Sequence, residues 1–139
     1  MLRRLIVLGV VIAGALPSAL AAQCLSYDAV TLAGTLVRQT YPGPPDYRSF
    51  SRGDKPIVVP ILQLERPVCV VDPASRYPRR YNQREIELVL DAALLDTFRE
   101  LLGKKVSVSG TLMDGGARHD KPLVIAVSDI ARTSERPYG

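Results

Sequence analysis

The chain has 139 residues, with 18 Lys and Arg against 14 Asp and Glu, 47% hydrophobic residues, two cysteines, one histidine and no tryptophan. A chain of this length forms one domain, and it is too short for a Rossmann or TIM-barrel architecture. Because those large cofactor-binding frames are excluded, we expect no bound cofactor.

The first 22 residues have the layout of a secretory signal peptide. Arg3 and Arg4 precede an unbroken apolar run over residues 5–16, and the segment ends in small residues that indicate cleavage after Ala21 or Ala22. An apolar run this short cannot span a bilayer as a helix, so we expect no transmembrane segment after signal removal. Removal leaves residues 23–139 as one domain and lowers the formal charge from +4 to +2. We predict a protein that is periplasmic or secreted.

The hydrophobic pattern then predicts five strands and one helix. Alternation of apolar and polar residues indicates strands, and the stripe formed by Leu94, Leu95, Phe98, Leu101 and Leu102 indicates an amphipathic helix. Asp91 is the expected N-cap of this helix and Gly103 its stop. The predicted strands begin near Val30, Ile57, Ile86, Val106 and Leu123, the proline- and glycine-rich or polar segments 42–56, 72–84 and 114–122 are loops, and residues 131–139 form a frayed tail.

This order of elements is that of a five-stranded OB-fold-like Greek-key barrel, with the helix between strands 3 and 4. Residues 30–36 and 106–112 share the pattern V-x-[LV]-x-G-T-L, as expected if the first and fourth strands are neighbours that close the barrel. Glycines at the same phase, Gly34 and Gly110, would let these two strands approach closely. The alternative is a plain sheet of four or five strands backed by one helix.

Cys24 and Cys69 are predicted to form a disulfide, since an oxidising compartment outside the inner membrane permits one. Lipidation of Cys24 is not expected, because Gln23 stands where a lipoprotein signal requires a small residue. The alternative is two buried free thiols.

A pairing argument supports this disulfide. If Cys24 faces Cys69 across an antiparallel hairpin, the centre of the hairpin falls between Asp46 and Tyr47, within the proline-rich loop. Directly opposite residues are about 4.5 to 5.5 Å apart at Cα, which suits a disulfide.

Several short motifs resemble those of a family of short exported bacterial proteins classified as a domain of unknown function, of the DUF4431 type. They are Leu102 to Val106, Gly110 to Leu112, Leu62 to Leu64, and Pro67 to Val70, and the similarity spans Ile57 to Val127. The resemblance implies an exported location and an OB-fold-like structure, and it implies no activity. Members of the family tend to carry a histidine-rich loop after the G-T-L strand, where this chain has a single histidine.

The sequence contains three candidate catalytic or metal-binding arrangements. A serine hydrolase would have to use His119, but Ser107 and Ser109 lie on a strand outside any nucleophile elbow. Glu85 and Glu87 share a strand face about 7 Å apart, a spacing that suits acid–base cleavage of a glycosidic bond, although their alternation predicts a solvated face. Asp114, His119 and Asp120 would make only a weak metal site, so no metal is expected.

A basic and aromatic cluster carries the functional prediction. Arginine binds carboxylate or phosphate groups, and tyrosine stacks on sugars or guanidinium groups. In OB-folds one barrel face and the loops after strands one and four bind the ligand. The predicted ligand-binding residues are Arg76, Tyr77, Arg79, Arg80 and Tyr81, with Tyr47, Arg48 and Arg118 from the other loops. The alternative is a solvated loop whose arginines serve solubility.

These residues favour a non-enzymatic binding module of the cell envelope. Its partner would be an acidic glycan, a lipid phosphate or an acidic protein surface, and nucleic acid is not expected outside the cytoplasm. A second hypothesis is a periplasmic protein–protein inhibitor or immunity factor. A third is a glycan hydrolase that uses Glu85 and Glu87.

Overall fold

The structure is a computed structural model that describes residues 23–133 together with Gly14. The predicted signal peptide therefore lies almost wholly outside the described residues. Within them the fold is mainly β, with six strands and one α-helix. The elements are β1 (Leu25–Ser26), β2 (Ala29–Pro42), β3 (Pro56–Val71), β4 (Arg80–Val89), α1 (Ala92–Glu100), β5 (Lys105–Asp114) and β6 (Leu123–Arg132).

The six strands form one mixed sheet in the order β1-β3-β2-β5-β6-β4. Strands β1 and β3 are parallel, as are β4 and β6, and the remaining pairs are antiparallel. Strand β3 also pairs with β4, so the pairings from β2 through β3, β4, β6 and β5 return to β2. The predicted mainly β fold, with a helix between its third and fourth long strands, is confirmed.

The predicted count of five strands is wrong, because β1 adds a sixth. This strand has two residues, too few to show the alternation by which a strand is recognised in a sequence. At the other end of the chain β6 continues through Arg132, so residues 131 and 132 of the predicted frayed tail belong to a strand. Residues 134–139 lie outside the described part of the chain.

Strands β2 and β5 are neighbours, as their shared sequence pattern predicts, with Leu32 opposite Val108. The role expected for their glycines is wrong in detail. A Cβ atom on Gly34 would lie 2.2 Å from the carbonyl oxygen of Gln63 on β3, and one on Gly110 would lie 2.2 Å from that of Ala126 on β6. Each glycine therefore lets its strand lie close to a different neighbour, β3 for Gly34 and β6 for Gly110, because a side chain would not fit there.

The core is built from aliphatic side chains of the strands together with the inner face of α1. Phe98 of α1 is 3% exposed, and α1 packs against β6. The predicted helix ends are confirmed: the Asp91 side chain accepts a hydrogen bond from the backbone N of Leu94 at 2.8 Å, and Gly103 adopts a φ of +79° after the helix. The fully buried residues include Leu36, Ile61, Leu62, Val70, Ile86, Val106, Val108, Leu112, Leu123, Val124 and Ile125.

The predicted disulfide between Cys24 and Cys69 is confirmed, with 4.6 Å between the two Cα atoms. The pairing argument for it is wrong. Strand β2 pairs Gly34 with Leu64, so the hairpin midpoint falls at Ser49. The chain bends after β1, which runs parallel to β3 with Leu25 opposite Val70, and this places Cys24 beside Cys69.

Candidate functional site

The loop between β2 and β3, residues 43–55, is organised around the carboxylate of Asp54. Asp54 is 4% exposed. Its Oδ1 accepts the backbone N–H of Asp46 at 3.0 Å, and its Oδ2 accepts those of Arg48 and Ser49, both at 2.8 Å. Tyr47 lies between these donors with a φ of +57°, and its side chain is 62% exposed. Asp54 thus fixes the backbone that presents Tyr47.

The same contacts lower the pKa of Asp54, because the N–H groups of Ser49, Arg48 and Asp46 hydrogen-bond to its charged form. Because folding lowers this pKa, the ionised carboxylate stabilises the folded loop at any pH above the ordinary Asp pKa of about 3.9. That stabilisation is lost as the pH falls through the lowered pKa of the folded protein.

We therefore expect the Asp54→Asn substitution to loosen this loop at neutral pH, because asparagine has one acceptor oxygen and no charge. In the native protein the amide NMR shifts of Asp46, Arg48 and Ser49 should titrate together below pH 4, and the substitution should abolish that titration. Asp46→Asn, which keeps its own backbone N–H, is the matched control. Independent titration of the three amides would contradict this role of Asp54.

The loop between β5 and β6, residues 115–122, closes on itself at its base. The backbone N of Gly115 donates to the carbonyl oxygen of Pro122 at 2.9 Å, and that of Gly116 donates to Oδ1 of Asp114 at 3.0 Å. A Cβ atom on Gly115 would lie 2.1 Å from the carbonyl oxygen of Lys121, so this close approach requires glycine.

The two loops enclose a cleft of about 430 Å³. This cleft is lined by Tyr47, Ile57, Ala117, Arg118, His119 and Asp120. Two of the predicted ligand-binding residues, Tyr47 and Arg118, are therefore brought together although they are far apart in the sequence. The guanidinium group of Arg118 has no hydrogen bond or ion pair within residues 23–133.

Glu87 lies beneath the cleft wall and is 8% exposed. The expectation that this face of the strand is solvated is wrong at Glu87, because His119 of the β5–β6 loop lies against its carboxylate. The Nδ1 atom of His119 is 3.3 Å from Oε2 of Glu87. The contact is not a hydrogen bond, because Oε2 has no hydrogen-bond partner within the described part of the chain.

Glu85 is engaged by two neighbouring elements. Its Oε2 is 3.1 Å from the Nζ of Lys121 and accepts a hydrogen bond from Gln39, which in turn accepts one from the Tyr41 hydroxyl. The ammonium group of Lys121 also lies 5.8 Å from the centre of the Tyr41 ring. Burial alone would lower the pKa of Lys121, but its contacts with Tyr41 and Glu85 outweigh burial and raise it. These contacts hold the C-terminal end of the β5–β6 loop on β4.

The predicted basic cluster at residues 76–81 is largely engaged in contacts within the chain. The Nε of Arg76 lies 3.4 Å from Oδ2 of Asp72, and its guanidinium carbon lies 6.0 Å from the centre of the Tyr77 ring. The Tyr77 and Tyr27 rings are 5.3 Å apart, and the Tyr27 hydroxyl donates to the carbonyl oxygen of Pro78 at 3.1 Å. These contacts fix the loop, although the side chain of Arg76 remains 73% exposed.

Arg80 differs most from the prediction of a free ligand-binding arginine. Its Nη2 atom donates to Oδ2 of Asp114 at 3.2 Å, and the two side chains are 30% and 10% exposed. Its Nε is buried without a hydrogen-bond partner in the described region. Arg79 donates to the hydroxyl of Tyr81 at 3.1 Å, and both residues lie at the surface. Arg80 therefore joins the start of β4 to the end of β5.

The predicted weak metal arrangement gains no support from the side-chain positions. Within residues 23–133 no group of three or more His, Cys, Asp and Glu side chains is placed to hold a metal ion. Asp114 is instead occupied by Arg80 and the backbone of Gly116.

The fold and the cleft define a small, disulfide-linked, mainly β domain with a surface site between two loops. Residues 85–131 match the family model described as a domain of unknown function, DUF4431. Over these residues the chain is similar to that family, and the resemblance drawn from the sequence is confirmed there. Comparisons with curated proteins and with solved structures gave no match.

The family match covers the second half of β4, all of α1 and β5, and β6 except its last residue, together with the β5–β6 loop that lines the cleft. Leu62, Cys69 and the β2–β3 loop lie before the matched residues. No helix in the described part of the chain is both long and apolar enough to cross a membrane.

Proposed function

We propose that this protein is an exported, non-enzymatic binding module built on an OB-fold-like barrel. The strand pairings run from β2 through β3, β4, β6 and β5 and back to β2. This closed circuit supports the proposed fold, since an OB-fold is a five-stranded Greek-key barrel. Strand β1 is then an addition outside the barrel. In OB-folds the loops after strands one and four flank the ligand, and here these are the loops at 43–55 and 115–122.

The ligand we propose is anionic, and it binds in the cleft between these two loops. The observation that carries this proposal is the unpaired guanidinium group of Arg118 in a cleft that also holds the exposed ring of Tyr47. A guanidinium group can hold a carboxylate or phosphate through two parallel hydrogen bonds. Arg48, which follows Tyr47, adds positive charge to the same loop. The proposed partners remain an acidic glycan, a lipid phosphate or an acidic protein surface.

Arg76, Tyr77, Arg79 and Tyr81 would form a second, more peripheral contact area. They lie at the surface, whereas Arg80 is engaged with Asp114. We therefore place the centre of the binding site at Arg118 and Tyr47 and give Arg80 a structural role.

The proposed location is the periplasm or the exterior of a bacterial cell. The disulfide supports it, because such bonds persist in oxidising compartments and are rare in the cytosol. The residues that would direct export lie in the predicted signal peptide, outside the described part of the chain.

The Arg118→Ala substitution should test the proposed site. We expect the purified protein to bind oligogalacturonate, anionic phospholipid vesicles or polyglutamate, with a Kd that rises with salt. Loss of one charge-assisted contact should raise that Kd by about tenfold to a hundredfold. Titration calorimetry at two salt concentrations would measure both effects.

Arg66→Ala is the matched control, because Arg66 is exposed on β3 and lies outside the cleft. It should change the Kd by less than about twofold, as expected for a solvated charge. The proposed function would be overturned if the protein bound none of the three probes, or if binding were independent of both salt and Arg118.

A further inference from the structure

The cleft holds a hydrogen-bond acceptor as well as a cation. His119 lines it, with a side chain that is 30% exposed, and the Nδ1 edge of its ring faces the carboxylate of Glu87 at 3.3 Å. A carboxylate beside Nδ1 favours a proton on that nitrogen. With the proton on Nδ1, the Nε2 atom on the other edge of the ring can accept a hydrogen bond.

Glu87 lies beside His119, with its Oε2 atom fully enclosed. Its position is fixed by the sheet on both sides, because Glu87 pairs with Ile61 of β3 and with Val124 of β6. A buried carboxylate is costly unless a polar or charged group compensates it, and His119 is the group that faces Oε2. Glu87 is therefore a positioning residue.

The other charged groups near His119 do not change the part proposed for its ring as a hydrogen-bond acceptor. Lys121 is directed to Glu85, and Asp120 and Arg118 stand beside His119 along the loop. The cleft therefore combines a guanidinium group, an exposed aromatic ring and an imidazole acceptor.

We propose that the cleft selects an acidic sugar, of the uronate class, over anions that carry no hydroxyl groups. Arg118 would hold the carboxylate, the ring of Tyr47 would stack on a face of the sugar, and Nε2 of His119 would accept a hydrogen bond from a sugar hydroxyl. Because Ile57 and Ala117 supply the only aliphatic side chains among the cleft residues described, the cleft suits a sugar better than an acyl chain. This inference rests on the proposed function and specifies its ligand.

The test compares two probes with the same number of carboxylates, trigalacturonate and an acrylate trimer. Both are titrated into the purified protein at pH 7.5 and constant salt. We expect trigalacturonate to bind about tenfold more tightly, which corresponds to about 1.4 kcal/mol. His119→Ala should remove this preference by weakening trigalacturonate binding about tenfold, with the affinity for the acrylate trimer within about twofold of the native value.

Two further variants distinguish the proposed hydrogen bond to His119 from a general change in the charge or folding of the protein. Glu87→Gln should reduce the same preference, since it removes the charge that sets the imidazole tautomer, and circular dichroism would show whether it is folded. Asp120→Asn removes a negative charge from the cleft wall, so it should tighten both probes alike and leave their ratio unchanged.

Each outcome bears on one proposal. Equal affinity for both probes, with dependence on Arg118, would overturn the selection of sugars and leave anion binding in place. A preference for trigalacturonate that survives His119→Ala would overturn the role of His119 and with it this inference. Binding of neither probe would also overturn the selection of sugars. The measurement with oligogalacturonate, anionic vesicles and polyglutamate would then decide the proposed function separately.

Discussion

Replacing both cysteines by alanine is expected to lower the free energy of unfolding by about 4 kcal/mol. The bond between Cys24 and Cys69 spans 45 residues of sequence and links the start of the described domain to β3. Such a crosslink restricts the unfolded chain, and the chain-entropy relation gives about this value for a loop of that length. Strand β1 depends strongly on the bond, because it pairs with β3 through only two residues. Guanidinium chloride unfolding of the Cys24→Ala/Cys69→Ala variant would measure the loss.

Two comparisons make this measurement specific. Reduction of the native protein should produce nearly the same loss, because it removes the same crosslink without changing a side chain. Proteolysis of the folded double variant should begin within residues 23–28, where the chain loses its tether. A loss below about 1 kcal/mol would show that the crosslink contributes little to folding, contrary to the usual cost of removing a native disulfide from a small domain.

The Arg80→Ala substitution is expected to destabilise the fold by about 2 kcal/mol. It leaves Asp114 without its cation at a position where that side chain is 10% exposed, and breaking a buried ion pair leaves an uncompensated charge. We place the value below the usual range for fully buried pairs because the Arg80 side chain is 30% exposed and partly solvated. Chemical unfolding would measure the loss.

The reason for this loss can be tested with a second substitution. Asp114→Asn keeps an oxygen that can accept from Gly116 and removes the charge, so adding it to Arg80→Ala should recover part of the stability. Arg99→Ala is the control, since the side chains of its pair with Asp96 are 67% and 73% exposed and its loss should cost less than about 0.5 kcal/mol. If Arg80→Ala weakened anion binding with unchanged stability, Arg80 would be a ligand contact as the sequence predicts.

The elements of this fold are predictable from the sequence because most of them have a clear period. The stripe through Leu94 and Phe98 indicates α1, and Asp91 and Gly103 mark its ends as the structure has them. The disulfide is predictable from the number of cysteines and the expected compartment. Its local geometry is not, because the bend between β1 and β2 changes the direction of the chain and has no strong turn signal.

The candidate site is only partly predictable. Residue type indicates Tyr47 and Arg118, but their position on the same cleft depends on how the two loops pack. The burial of Glu87 could not be predicted from the sequence, because its neighbours alternate like those of a strand with one solvated face. In the structure the β5–β6 loop covers Glu87. Asp54 is recognisable only after the three backbone donors around it are known.

Both ends of the β5–β6 loop are fastened to the same strand. Arg80 at the start of β4 holds Asp114, and Glu85 farther along β4 holds Lys121. The segment 116–120 between these anchors is therefore presented on a fixed frame, so its ordering costs little when a ligand arrives. Exchange of the other four residues of this segment, with His119 kept beside Glu87, should alter what the domain recognises while its scaffold persists, which makes this hairpin end a position where new specificities can be grafted.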